Sequence, residues 1–233
     1  MSNNYVIYHL HSDYSNAFII MDSVTKTDMY IKKAQELGMQ ALGFSEHGTV
    51  LGWYNKKNNI EKAGMKYIHA VEIYVTKSLN DNIRDNRHCV LIAKNYDGVK
   101  EINKLISNSF NRNDGHYYYN PRISYDELKA TSDNIIITTA CLGGILNSKD
   151  KEWIIDFIKF LTKNKHRTFL EIQHHNIPEQ KEYNKLLYAI SQKTGIRLIA
   201  GTDTHSLNNE YEEGRQILQK AKNIHFEEEE NWD

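Results

Sequence analysis

The sequence predicts an α/β fold, a closed barrel of seven strands, on three observations. Apolar runs of strand length alternate with amphipathic helical stretches along most of the chain, the pattern of strands joined by helices. Side chains able to bind metals recur at the ends of those runs. Four of them form pairs on the first and last runs, His9-Leu10-His11 and Asp203-Thr204-His205. Closing a barrel makes those two strands neighbours, whereas an open sheet would have to shuffle its strand order.

The first strand is expected over Tyr5–His11, and residues i and i+2 of a strand share a face, so His9 and His11 can close on one metal. A helix at about Ser23–Leu37 follows, ended by Gly38, then a strand at Ala41–Glu46 and a helix at Leu51–Ala63 ended by Gly64. Strands at Lys66–Val75 and His88–Lys94 precede a helix at Gly98–Asn108. The rhythm breaks over Asn108–Lys129, which reads as a loop excursion. It resumes with a strand at Asn134–Cys141, a helix at Lys151–Lys163 and a strand at Thr168–His174. Pro178 opens a helix at Glu179–Lys193 that Gly195 closes, and a strand at Arg197–Asp203 and a helix at Asn209–Lys222 complete the set. Alternation of this kind implies parallel strands with right-handed crossovers, with the ligands at or just past the strands' C-terminal ends. Residues 1–225 are expected to form one domain and the acidic tail 226–233 to fray.

Length and composition fit such a domain. The 233 residues can bury a proper core, and 40% hydrophobic with 25% charged residues is ordinary for a globular enzyme. A net charge of −1 gives no whole-molecule field for non-specific nucleic-acid binding, so any phosphate contact must come from a local patch or from bound metal. Two cysteines suggest a reducing compartment, and no apolar stretch approaches a membrane span. A cytoplasmic location without membrane contact is expected.

The candidate ligands are His9, His11, Asp22, His47, Glu72, His88, Cys141, Asp203 and His205. A mixed imidazole, carboxylate and thiolate set of this size suits two or three divalent ions, with Zn²⁺, Mn²⁺ and Fe²⁺ the plausible choices. Such ions lower the pKa of a shared water and neutralise charge on a phosphate, so phosphoester hydrolysis is the natural reaction and amide hydrolysis its chemical rival. Glu72 is the choice for a carboxylate that bridges ions. Asp22 could instead cap the helix that follows, and Cys141 could simply be buried, as Cys89 is expected to be. Glu46 is expected to orient His47, and His174 to contact phosphate, with His175 exposed. His69, His116, His166 and His225 read as ordinary. Tyr117–Tyr119, among them Tyr118, with Arg112 and Arg122 nearby, could stack on bases and hold phosphates; packing of the loop's own aromatics is the preferred reading.

The stretches YHLHSDYS at 8–15, FSEHGTVLGW at 44–53, HAVEIYV at 69–75, HCVLIAKNYDG at 88–98, PRISYDEL at 121–128, ACLGG at 140–144, FLEIQHH at 169–175 and GTDTH at 201–205 resemble the PHP (polymerase and histidinol phosphatase) family. The PRI and CLGG stretches make the chain most similar to the PHP domain at the N-terminus of bacterial DNA polymerase III alpha subunits. The resemblance implies a distorted (β/α)7 barrel and a trinuclear metal site whose ligand positions fall on the same nine residues. A complete set implies a working catalyst, with His9, His11, Glu72, Asp203 and His205 carrying the reaction. Glu46 stands where the family usually has Asp, and Ala70 where it usually has Gly. The chain has no length for polymerase modules and is not expected to polymerise DNA.

The expected activity is a 3′–5′ exonuclease of proofreading type, its substrate a nucleic-acid 3′ end and its possible partner a replicative polymerase. The alternatives are a phosphatase acting on a phosphorylated small molecule, nucleotide or histidinol phosphate, and a non-catalytic platform for a polymerase.

Overall fold

The first and last stretches of the chain meet, and that meeting closes the sheet. The structure, a computed structural model, describes residues 5–17, 22–80 and 83–222; the tail at 226–233 and His225 lie outside the described residues. The strands are β1 (Ala41–Phe44), β2 (Lys66–Thr76), β3 (Arg87–Ala93), β4 (Tyr117–Tyr118), β5 (Asn120–Ser124), β6 (Ile135–Thr138), β7 (Thr168–Ile172) and β8 (Arg197–Ala200). The helices are α1 (Thr27–Glu36), α2 (Trp53–Lys62), α3 (Tyr96–Ser109), α4 (Tyr125–Lys129), α5 (Lys151–Lys163), α6 (Pro178–Thr194) and α7 (Asn209–Ala221).

The sheet runs β1-β2-β3-β6-β7-β8. The segment around Ile7–Leu10 joins its two ends, bridging Leu42 of β1 on one side and Thr204, just past β8, on the other. Gly43 and Ser45 donate to the carbonyls of Ile7 and Leu10 at 2.9 Å, and His11 donates to Thr204 at 2.9 Å. The predicted first strand is thus a stave held by isolated bridges, and with it the seven staves form a distorted (β/α)7 barrel.

One stave runs against the others. β3 is antiparallel to both β2 and β6, contrary to the all-parallel expectation. The connection between β2 and β3 is ten residues long, with no helix among its described residues, and a parallel return needs a crossover of a dozen or more. The reversal brings the beginning of β3, where His88 sits, to the face that the other strands reach with their ends. The predicted loop at 108–129 is also partly ordered: β5 adds to the end of β2 in parallel, β4 pairs back on β5, and α4 starts on a Ser124–Glu127 capping box.

Side-chain alternation divides the strands between two environments. Val71, Ile73 and Val75 of β2, Cys89 and Leu91 of β3, Ile135 and Ile137 of β6 and Leu170 of β7 face outward into the main core, with Phe157, Leu161 and Leu187 of the covering helices. Each fully buried Leu or Ile there contributes about 1.5–3 kcal/mol. The inward positions hold a small apolar plug, Tyr8, Ala70, Val90, Ile92 and Ala140, and beyond it the polar side chains Glu72, His88, Thr138 and Glu171. The helix signals hold where they were read: Pro178 begins α6, and Gly38, Gly64 and Gly195 all lie at positive φ just past helices. α1 starts later than expected, at Thr27, because residues 22–26 are tied to the barrel by Ser23 Oγ donating to the His205 carbonyl and Leu207 N donating to Thr25 Oγ1. Asp22 is therefore not that helix's cap.

Candidate metal centre

Three overlapping groups of side chains converge where the polar interior opens. His9, His11, Glu72 and Asp203 form the deepest; His11, Asp22, His47 and His205 form the second; His47, Glu72 and His88 form the third. Within each group the ligand atoms lie within 4.8 Å of one another. His11, His47 and Glu72 each belong to two groups. The Glu72 carboxylate divides its oxygens: Oε1 lies 3.0 Å from His88 Nδ1 and 3.5 Å from His9 Nε2, and Oε2 lies 2.8 Å from His47 Nδ1 and 3.4 Å from His11 Nε2. Cys141 extends the third group, its Sγ 3.5 Å from His88 Nδ1 and 3.7 Å from Glu72 Oε1. All nine residues named from the sequence are thus brought together.

The surroundings fix which atoms face inward. His9 Nδ1 bonds the buried Glu171 carboxylate at 2.5 Å, His11 Nδ1 bonds Ser15 Oγ at 3.1 Å, and His205 Nδ1 donates to the Asp203 carbonyl at 2.8 Å. Each ring then turns its Nε2 toward the centre, the arrangement by which a second partner orients a ligand imidazole. Glu46 does not serve the His47 ring as expected. Its carboxylate accepts from Ser12, Ser15 and Lys56, and Ser15 relays it to His11 Nδ1 and to the His47 backbone N–H. Asp22 Oδ2 lies 2.9 Å from His47 Nε2 and 3.3 Å from His205 Nε2. Arg215 Nε donates to the Asp22 carbonyl at 2.6 Å, holding that residue from α7.

Backbone conformation contributes as well. Asp203 (φ 48°) and Ala140 (φ 54°) occupy the left-handed region, which Asp tolerates and Ala does at a cost of about 1–2 kcal/mol. These turns aim the Asp203 carboxylate and the Cys141 thiol inward. A Cβ on Gly201 would lie 2.1 Å from Glu171 Oε1, so only glycine leaves room for that carboxylate. Sequence reasoning gave Glu171 no role. Its signal is a lone carboxylate between Leu170 and Ile172, which a buried strand can hold only if it is paired.

Six buried atoms at this place make no hydrogen bond among the described residues: His9 Nε2, His11 Nε2, His47 Nδ1, Asp22 Oδ2, Glu72 Oε2 and Asp203 Oδ1. They crowd together without lining up as donor and acceptor. Burial works against charge on all of them, and at two of the carboxylates the partners prevail: His88, His47 and His9 hold the Glu72 carboxyl well below its usual range, and His9 does the same for Asp203. At His9, Glu171, Asp203 and Glu72 outweigh burial and raise the imidazole. His11 is pushed down to about 4 by burial and by His47 and His205. Burial beside Glu72 and Asp203 raises the Cys141 thiol, so that a thiolate there needs a cation for compensation. Unpartnered acceptors and imidazole nitrogens, buried and mutually close, are what a set of divalent ions would satisfy, so the residues fit such a group.

The cleft over the centre is lined by His47, His88, Cys141, Asp203, His205 and His175, among others, and has a volume of about 200 Å³. His175, expected to be exposed, is buried and belongs to this wall, while His174 is the exposed one of the pair. The strand has ended by then, and the chain turns His175 inward ahead of α6. His174 does line a second, adjoining cleft with Thr204 and Arg215. The tyrosine run is engaged locally: Arg112 lies over Tyr117 at 4.3 Å, Arg122 over Tyr118 at 5.2 Å and Arg84 over Tyr119 at 4.0 Å. Arg122 is wholly buried, which matches the packing reading.

A family model for the PHP domain matches residues 8–175. The DNA polymerase III subunit alpha of Aquifex aeolicus is 35% identical over 97% of this chain and 20% of its own length. That of Borreliella burgdorferi is 30% identical over 93% of this chain and 19% of its own length. The chain therefore spans about one fifth of the length of these relatives. Among solved structures, a candidate metal-dependent phosphoesterase of Bifidobacterium adolescentis superposes with a TM-score of 0.55 at 16% identity, over 86% of this chain and 87% of that one. An amidohydrolase from Chromobacterium violaceum superposes with a TM-score of 0.52 at 10% identity, over 88% and 89%. These likenesses are of fold.

Proposed function

Because the chain belongs to the PHP domain family, we propose that its convergent histidines and carboxylates hold metal ions for phosphoester hydrolysis, and that the substrate is the 3′ end of a nucleic-acid strand. The observation that carries this reading is the set of six buried, unpartnered ligand atoms. The three groups would hold the ions, Cys141 joining His47, Glu72 and His88; Glu72 can serve more than one ion, whereas His11, with Nε2 its one spare nitrogen, can serve only one. Bound Zn²⁺, Mn²⁺ or Fe²⁺ would supply a Lewis acid for phosphate oxygens and a lowered water pKa. The protein's own part is to orient. Glu171 sets the His9 ring, Ser15 sets the His11 ring, and the strained turn at Asp203 fixes its carboxylate against both. His175, pushed down to about 4 by burial, stays neutral near pH 7 and lines the cleft without adding charge.

The nucleic-acid substrate draws on the relatives' name, that of a DNA polymerase subunit. Those relatives also make a replicative polymerase the proposed partner and the cytoplasm the proposed location. Among the described residues no helix is long and apolar enough to cross a membrane.

The test is a 5′-labelled primer with a mismatched 3′ end, given to protein stripped of metal and reloaded with Mn²⁺ or Zn²⁺, beside a phosphate monoester. Stepwise shortening that vanishes in His9→Ala is expected. Monoester turnover alone would move the assignment to a small-molecule phosphatase. Inactivity on both, in protein that retains its metals, would make the barrel a platform.

A further inference from the structure

Two buried amides in the cleft wall are left with nothing to accept from. Gln173 follows β7 and Gln180 lies in the first turn of α6; they are 4% and 1% exposed. A chain of hydrogen bonds fixes which way each points. Asn184 donates from Nδ2 to the Gln173 carbonyl at 2.6 Å, so its Oδ1 is the acceptor that takes the Gln180 Nε2 proton at 2.9 Å. Turning the Gln180 amide over would set oxygen against oxygen. Gln173 Nε2 donates to Glu171 Oε1 at 3.0 Å, and an ionised carboxylate can only accept.

Gln173 Oε1 and Gln180 Oε1 therefore remain as surplus acceptors, and neither makes a hydrogen bond within the protein. Both residues line the cleft that contains His47, Cys141 and Asp203, whose apolar side is Leu142 and Ile177. Its 200 Å³ suits a sugar-sized group. A phosphate brings acceptors only and would be repelled from two amide oxygens; a sugar hydroxyl brings one O–H, which one of the two can accept.

We propose that Gln173 and Gln180 form a hydroxyl-recognition subsite in which one of the two amide oxygens accepts from the free 3′-hydroxyl of a strand's terminal sugar, seating the preceding phosphodiester on the ligand cluster. This rests on the phosphoesterase reading for its substrate. Its logic is that of a site built to bond a hydroxyl, which discriminates against the analogue lacking it.

The experiment measures binding, by fluorescence anisotropy, of metal-loaded protein to oligonucleotides that end in a 3′-hydroxyl, a 2′,3′-dideoxy sugar or a 3′-phosphate, each with a phosphorothioate at the terminal linkage to slow cleavage. Wild type is expected to bind the hydroxyl end roughly 3- to 10-fold tighter than the dideoxy end, and the phosphate end more weakly still. At least one of Gln173→Met and Gln180→Met, which keep side-chain length, is expected to erase that preference; both should lower the melting temperature, because each takes a donor from Glu171 or Asn184. Equal binding of the hydroxyl and dideoxy ends by wild type would overturn the subsite, as would no measurable binding, and neither needs a variant to fold. A lost metal ion in Gln180→Met would also overturn it, making the amide a ligand. Cleavage is read separately: end preference without hydrolysis would sink the phosphoesterase reading and keep the subsite, and hydrolysis indifferent to the end would do the reverse.

Discussion

Histidines in two regions of this barrel are alike in burial and opposite in bonding. On the flank, His69 has Tyr67 Oη at 2.9 Å from Nδ1 and Asn103 Oδ1 at 3.0 Å from Nε2. His116, in the β4–β5 excursion, is clasped between Asp114 and Glu127. At the centre, His9 and His11 each have one nitrogen held by the protein and one that points at other ligand atoms without a hydrogen bond. Burial does not separate the two kinds, since His69 is 3% exposed and His9 is 0% exposed. The spare nitrogen does. A histidine with both nitrogens occupied is structural, and one with a leftover nitrogen among leftover carboxylate oxygens is built for a ligand.

The sharpest way to break this contrast is to remove a residue of the centre. His9→Ala or Asp203→Ala is expected to abolish hydrolysis, reduce bound metal and lower unfolding stability by roughly 3 kcal/mol, measured by metal analysis and denaturant titration. Full activity in either variant would refute the site. Next in size is Glu171→Gln, which keeps the shape behind His9 and removes the charge. Metal affinity should fall about 10- to 100-fold in a competition titration against a chelator; unchanged affinity would reduce Glu171 to packing.

The flank predicts a pH effect. His69 is pushed down to about 4 by burial. The unfolded imidazole therefore takes up a proton, with a pKa near 6.5, that the folded one refuses until about pH 4. Stability from this group is complete above pH 6.5 and is lost as pH falls from 6.5 to 4, a span worth about 3 kcal/mol. His69→Gln should flatten that part of a stability-against-pH curve, and an unchanged slope would assign it to other groups. The smallest effect is expected at Tyr118→Ala. Tyr118 already packs beside Tyr119 and under Arg122, so single-strand affinity should hold within about twofold; a clear loss would make the loop a base-stacking surface.

Much of this was legible in the sequence, for physical reasons. The i, i+2 spacing of His9 and His11 and the capping residues of the helices are local signals, and α5 falls on the predicted Lys151–Lys163 span. Strand direction is not local. The reversal of β3 was readable only as a missing helix between two apolar runs. The roles of Glu46, Glu171 and His175 depend on which neighbours the closed barrel supplies: Lys56 from α2 for the first, His9 for the second and the cleft for the third. The nine candidate ligands stood out because many such residues at strand ends have no common explanation in packing.

The stave at Ile7–Leu10 sets a timetable for biosynthesis. It leaves the ribosome ahead of nearly all the other described residues, yet its partners include Thr204 and Asp203, which lie near the far end of them. Until those residues emerge, the nascent chain carries His9 and His11 without Asp203, and the stave, paired with β1 on one side, presents an open edge on the other. The centre can therefore be assembled only after nearly the whole described chain has been translated, and holding that edge out of aggregation falls to whatever greets the chain at the tunnel exit.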